Sequence, residues 1–269
     1  MIEQILTSTK NPLIKQVRKL QRSKERQRQN LLLLEGNKLV TTAINLNYSL
    51  TTIFCTLKWQ KTHQQLWQTI VSQAIKIQLV SPEVLSAIAT TVNPDGIVAI
   101  AYRQPAQIPV ISQTKLAIAV ERLQDPGNLG TIIRTAVATG VDSLWLSQDS
   151  VDFDHPKLLR ASVGEWFRLP MATTPDLLSI VQAHQQQGMQ IIATLPQAAK
   201  TYWELDLTVP SLLLIGNEGA GLSPELAALA EQKVSIPVVN QVESLNAAIA
   251  TALILYEAKR QVVRAGNNK

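Results

Sequence analysis

A chain of 269 residues, 46% of them apolar, has the length and hydrophobicity for two domains with packed cores, which excludes a disordered chain. The formal charge of +5 suits an anionic partner and is unevenly placed: residues 1–28 carry eight Lys/Arg against two acids, and the remainder carries 17 against 18. A single cysteine excludes an internal disulfide, three scattered histidines argue against a zinc site, and neither a leader nor an apolar run of ~20 residues is present, so the expectation is a cytosolic protein without metal or membrane.

Lys10–Arg28 reads as one basic helix, with Leu13, Val17 and Leu20 on its apolar face and Pro12 near its start. Its cations Lys10, Lys15, Arg18, Lys19 and Arg22 form either a solvated face or one that contacts RNA phosphates. Leu31–Gly36 reads as a buried strand and Asn37–Leu46 as a helix. The β-branched run Leu50–Leu57 reads as a strand, which makes its Cys55 a small core residue. Trp59–Ala74 reads as a helix and Ile77–Val80 as a strand. Ser81-Pro82-Glu83 is a capped helix start, and a turn at Asn93–Gly96 leads into a strand over Ile97–Tyr102. Alternating strands and helices predict an α/β domain over 1–103, and the period-free, proline-containing 104–113 predicts a linker.

The domain expected over 114–269 opens with Leu116–Leu123, a continuous apolar strand of the kind buried in a parallel sheet. A turn at Asp125–Asn128 leads into a helix over Leu129–Thr139, with Asn128 as its N-cap. Strands follow at Ser143–Ser147, Met189–Leu195, Leu212–Gly216 and Ser235–Val238. Helices are expected after Pro156, over Pro175–Gln187, from Ser223-Pro224 and over Ser244–Val263. In the last of these, Leu245, Ile249, Ala252 and Tyr256 are expected to form the buried stripe.

Polar residues beside glycine at strand ends mark where an α/β sheet binds ligands. Gly216, Gly219 and Gly221 follow an apolar strand as G-x-x-G-x-G, late in the chain. That spacing does not match the dinucleotide fingerprint and argues against a nicotinamide or flavin. Arg134 stands alone among apolar and small residues of its helix. It either pairs with Glu121 or Glu218, or aims at a phosphate or ribose. Ser244 fits an N-cap, whereas Asn246, in the first turn of an apolar helix, calls for a tertiary partner.

The stretches Asn128-Leu-Gly-x-x-x-Arg134-Thr-Ala, Ile215-Gly-Asn-Glu-Gly219 and Ile236-Pro…Glu243-Ser-Leu-Asn246 resemble the three ordered motifs of the SpoU/TrmH RNA ribose methyltransferases. The likeness spans about residues 114–260. The first half is similar to the small ribosomal-protein-like domain that precedes the catalytic domain in many members, and STKNPLIKQVRKL to the subgroup acting on 23S ribosomal RNA. The resemblance implies an α/β fold, mainly parallel, with a trefoil-knotted C-terminal part; a homodimer; and S-adenosylmethionine held in the knot. Carried over by position, Gly216, Ile236 and Leu245 match backbone contacts to the cofactor, with Leu195, Ile215, Asn217, Glu218 and Gly219 on neighbouring loops. Arg134 matches the arginine that activates the ribose hydroxyl, and Asn128, Glu218, Ser244 and Asn246 match the other polar motif positions. Methyl transfer to the 2′-oxygen of RNA is the implied reaction, with Glu218 or an RNA phosphate as proton acceptor, since arginine hardly deprotonates. Transfer RNA as substrate, and non-catalytic RNA binding on the same scaffold, are the alternatives.

Overall fold

The structure, a computed structural model, describes residues 5–73, 75–105, 107–240 and 242–267. The chain divides into two compact units: Met1–Pro105 with Asp152–Phe167, and Ala106–Val151 with Arg168–Lys269. Asp152–Phe167 thus departs from the expected division, which placed it in the second domain. Side-chain chemistry holds it in the first unit. Asp152 and Asp154 ion-pair with Arg26 at 3.0 and 2.9 Å. Arg160 pairs with buried Glu35 at 2.5 Å. Gly164 lies so close to Thr42 that a Cβ would come within 2.6 Å of its hydroxyl.

The first unit begins with α1 (Pro12–Lys19) and α2 (Ser23–Gln29), two helices where one was expected. The break has a local cause: Gln21 turns its amide to the carbonyls of Ile88 and Ala89, and Arg22 is extended. There follow β1 (Leu31–Glu35), α3 (Asn37–Asn45), β2 (Leu50–Cys55), α4 (Leu57–Thr62), α5 (Gln64–Ser72), β3 (Lys76–Leu79), α6 (Pro82–Ile88) and β4 (Ile97–Tyr102). The helix expected over Trp59–Ala74 is split at His63, whose ring stacks on Trp59 at 4.8 Å; Ala74 itself lies outside the described residues. The sheet order is β1-β4-β2-β3, with β4 antiparallel to both neighbours and β3 parallel to β2. Ile14, Val17 and Leu20 pack with Leu33, Phe54, Leu85 and Val98 in its core.

The second unit runs β5 (Leu116–Val120), α7 (Pro126–Thr139), β6 (Ser143–Ser147), then, after α8 (Pro156–Ala161) in the first unit, β7 (Met171–Thr174), α9 (Leu177–Gln186), β8 (Gln190–Thr194), β9 (Lys200–Thr201), β10 (Ser211–Ile215), α10 (Pro224–Leu229), β11 (Gln232–Ser235) and α11 (Ala247–Asn267). Its sheet, β7-β6-β5-β10-β8-β11-β9, is parallel at every described pairing. Continuous burial along β6 and β10 follows from cover on both faces. From β5 the chain moves to β6 on one side; from adjacent β10 it moves past β8 to β11 on the other. The crevice between the carboxyl ends of β5 and β10 is therefore a topological switch point.

Three expectations shift here. The strand expected over Ser235–Val238 lies earlier, at Gln232–Ser235, because the register with β8 begins at Gln232↔Ile192. The last helix starts at Ala247, not Ser244. Its buried face is Ala248, Thr251, Ile254, Leu255 and Ala258, packed on α7, whereas Ile249 and Tyr256 are 54% and 57% exposed. The expected stripe is one residue out of phase, because the helix is apolar on two faces and period alone does not choose between them.

Candidate active site

Asp125, Pro126 and Gly127 decide how α7 begins. Asp125 is the N-cap, accepting from the amides of Gly127 and Asn128 at 2.5 and 3.1 Å, and Pro126 takes the first helical position, where a missing N–H costs nothing. Asn128 is thus not the cap expected of it. Its side chain is left free and becomes the centre of a network.

Asn128 Nδ2 donates to Glu218 Oε1 at 3.1 Å. Asn128 Oδ1 accepts from Asn246 Nδ2 at 2.9 Å. Asn246 Oδ1 accepts the amides of Ala248 and Ile249, so Asn246 is the cap of α11. Ser244, expected in that role, is exposed and precedes the helix. Each amide is used at both ends, which ties the loop after β5, the loop after β10 and the start of α11 into one unit.

Glu218 is the acceptor in this network. Besides Asn128 it takes the amides of Gln124 and Asp125 at 3.3 and 3.2 Å. Burial raises its carboxyl pKa, but the hydrogen bonds from its own amide, Asn128, Asp125 and Gln124 outweigh burial and hold it below the usual range. A carboxylate so engaged is a poor proton acceptor, and the structure makes it a strut between loops. With its folded pKa depressed, the strut is intact above the ordinary carboxylate pKa and lost as pH falls through the lowered one. Glu218→Gln presents an N–H₂ group where N–H donors converge. We expect kcat to fall tenfold to a hundredfold, about the worth of a charge-assisted hydrogen bond, and unchanged kcat would remove the strut.

The glycine loop closes on itself. Asn217 and Gly221 exchange backbone hydrogen bonds at 3.0 Å, and Asn217 Oδ1 accepts from Gly219 and Ala220 at 2.9 Å. Asn217 Nδ2 donates to the Arg122 carbonyl at 2.8 Å. The Gly219 amide, expected to face a ligand, is consumed inside the loop. Gly216 must be glycine because a Cβ would stand 2.3 Å from the Gly221 carbonyl carbon.

Other backbone groups are free. Gly216, Ile236 and Leu245 form no backbone hydrogen bond with any described residue. They lie on loops following β10 and β11; Ile215 ends β10, and Leu195 follows the last residue of neighbouring β8. Leu195 also lines a cavity of about 680 Å³, together with residues 196–200 and Lys233.

The Arg134 side chain is exposed and makes no hydrogen bond or ion pair with any described residue, so the pairing with Glu121 or Glu218 does not occur. Six residues after Asn128, it stands about 9 Å further along α7. Lys10, Lys15, Arg18, Lys19 and Arg22 are all exposed on the first unit. Arg26, part of the same basic run, is fully buried. Among described residues no group of three or more His, Cys, Asp or Glu could hold a metal ion, and no helix is long and apolar enough to cross a membrane. The contributions of Arg122, Gln124 and Asp125 were not expected; only Asp125-Pro126 carried a readable signal, as a cap before a proline.

Comparison with known proteins agrees with this geometry. Residues 115–256 match the SpoU rRNA Methylase family and residues 11–99 the MRM3-like substrate binding domain. A Synechocystis sp. protein described as an uncharacterized tRNA/rRNA methyltransferase is 44% identical over 95% of this chain and 93% of its own. The Bacillus subtilis 23S rRNA (guanosine(2553)-2′-O)-methyltransferase RlmP is 30% identical over 94% and 98%. The crystal structure of an AdoMet-bound rRNA methyltransferase from Sinorhizobium meliloti superposes with a TM-score of 0.83 at 32% identity, covering 96% of this chain and 98% of that one. The motif match over more than half the chain and the near full-length relatives lead to one conclusion: the chain belongs to the SpoU rRNA methylase family.

Proposed function

We propose that the protein transfers a methyl group from S-adenosylmethionine to a ribose 2′-hydroxyl of RNA, with 23S ribosomal RNA favoured over transfer RNA. The observation that carries this reading is the Asn246–Asn128–Glu218 network, which fixes three motif segments at the switch point, while the Arg134 side chain, about 9 Å further along α7, has no partner among the described residues. The preference for ribosomal RNA is supported by a near full-length relative named for 23S rRNA.

The residues present fit the cofactor. Free backbone at Gly216, Ile236 and Leu245, on the loops after β10 and β11, suits a molecule held by main-chain hydrogen bonds. When bound, it supplies a sulfonium-activated methyl group. The chain supplies alignment of the attacking oxygen, through loops locked by Glu218, and a guanidinium for the charge that develops on that oxygen or for the adjoining phosphate. With Glu218 occupied by amides, an RNA phosphate oxygen is the better proton acceptor of the two expected. Lys10, Lys15, Arg18, Lys19 and Arg22 offer exposed cations to the RNA backbone.

A knot is supported by the path of the chain: β10 lies between β5 and β8, yet the chain leaving it passes β8 to β11 and returns to pack α11 on α7. A homodimer is supported by the outer face of α11, where Ile249, Leu253, Tyr256 and Val263 are 37–57% exposed. A helix apolar on two faces needs a second partner, and a second copy is the occupant we assign. Ile249→Glu with Tyr256→Glu should therefore halve the mass measured by sedimentation; a wild-type monomer would refute the assignment. A ribosomal substrate supports a cytoplasmic location. The test of the reaction is labelled methyl transfer to deproteinised ribosomal and transfer RNA. Label on large-subunit RNA that blocks alkaline cleavage at one position supports it, and failure to bind S-adenosylmethionine overturns it.

A further inference from the structure

Among the described residues, five other than glycine have positive φ, and three of these are asparagines, which tolerate that conformation. Of the other two, Val163 closes the last turn of α8, and Arg122, with φ of 54°, lies two residues past β5 in the switch-point crevice. The work of the Arg122 backbone needs no side chain. Its amide donates to Ser147 Oγ at 2.8 Å, and its carbonyl accepts from Asn217 at 2.8 Å and Gln124 at 3.1 Å. Glycine would perform all three at no conformational cost.

The guanidinium, by contrast, is poorly served within the protein. Its carboxylate neighbour, Glu121, is 3.5 Å away and already accepts the Ser223 amide at 2.7 Å. Its Nε–H is sealed from solvent and meets no acceptor among the described residues. The side chain is 37% exposed. A strained backbone that carries a cation with an orphaned donor is a signature of a functional position. We propose that Arg122 is a second anion-binding arginine of this site, and that the exposed part of its guanidinium, loosely paired with Glu121, meets an anionic oxygen, either of an RNA phosphate or of the carboxylate of the methyl donor. This rests on the methyltransferase reading.

The test compares wild type with Arg122→Gly and Arg122→Lys in three measurements: melting temperature, calorimetric affinity for S-adenosylmethionine, and affinity for protein-free large-subunit rRNA across a salt series. Glycine suits the backbone, so Arg122→Gly should melt at or above the wild-type temperature. It should nonetheless lose about tenfold in affinity for one anion, the worth of a charged hydrogen bond. If the anion is a phosphate, RNA binding weakens, its salt slope becomes shallower by about one and cofactor affinity is unchanged. If it is the carboxylate, cofactor affinity falls and the RNA salt slope is unchanged. Arg122→Lys should recover part of the loss, keeping the charge but not the fork. Unchanged affinity for both, or a loss that follows a lowered melting temperature, overturns the proposal. All readouts are binding and stability, so failure of methyl transfer by the wild-type protein is scored separately.

Discussion

Arg134→Ala is expected to lower kcat for methyl transfer by about 10³-fold, the usual cost of removing a donor aimed at developing charge, while S-adenosylmethionine binding stays within about twofold. The separation follows from the structure. The backbone groups available to the cofactor belong to Gly216, Ile236 and Leu245, on loops that Arg134 does not hold. The Asn128–Glu218–Asn246 network closes without Arg134 as well. Folding should be spared, because an exposed, unpaired arginine contributes little to stability. Arg134→Lys distinguishes charge from shape. A guanidinium holds two phosphate oxygens or a phosphate and a ribose oxygen in one plane, and an ammonium does not. We expect Lys to remain at least tenfold below wild type. Near-full turnover in Arg134→Lys would leave only a point charge at this position, and loss of cofactor binding in Arg134→Ala would place the residue on the donor side of the reaction.

Much of this site was legible because its residues do not suit their surroundings. An arginine among apolar neighbours in α7, and an asparagine opening an apolar helix, each stand out against local physics; the asparagine has its tertiary partner in Asn128, and the arginine is exposed rather than paired with Glu121 or Glu218. Capped starts at Ser81 and Ser223 and the apolar runs of β5 and β10 were readable from local rules alone. Asn128 was misread because Asp125 and Asn128 are both good caps three residues apart; Pro126 settled the competition by fitting only the first helical position. The phase of α11 was hidden because its sequence supports two apolar stripes, and only contact with α7 selects the inner one. Glu218 as a strut was hidden too. Three of its donors come from residues some ninety positions earlier, two of them backbone amides that no side-chain pattern records.

Arg26→Met is expected to destabilise the first unit by about 3–5 kcal/mol, the cost of breaking a buried ion pair from one side, and to lower its melting temperature by about 10 °C or more. In sequence Arg26 is one of eight cations in a basic run. In the fold it is fully buried, held by Asp152 and Asp154 and by its own donation to the Leu20 carbonyl at 3.1 Å. Arg103 reaches the second oxygen of Asp154 at 2.8 Å, and Ser23 donates to Asp152. Without Arg26, buried Asp154 keeps only the half-exposed Arg103 and stands beside the carboxylate of Asp152. Burial and the charge of Asp152 already push Asp154 up to about 6, against the pull of Arg26 and Arg103. With its folded pKa raised, ionised Asp154 costs stability in full above that value; the cost shrinks as pH falls below it and is gone below the ordinary carboxylate pKa. Asp154→Asn, which removes a charge the fold disfavours, should therefore be milder than Arg26→Met. The same cluster predicts the behaviour of fragments. Residues 1–105 alone keep Arg26 and Arg103 but lose both aspartates, so the fragment should show no cooperative melting transition, and adding a peptide of residues 152–167 should restore one. A fragment that melts cooperatively by itself, or an Arg26→Met protein that melts like wild type, would show that Asp152–Phe167 is an ornament on the first unit and not part of its core.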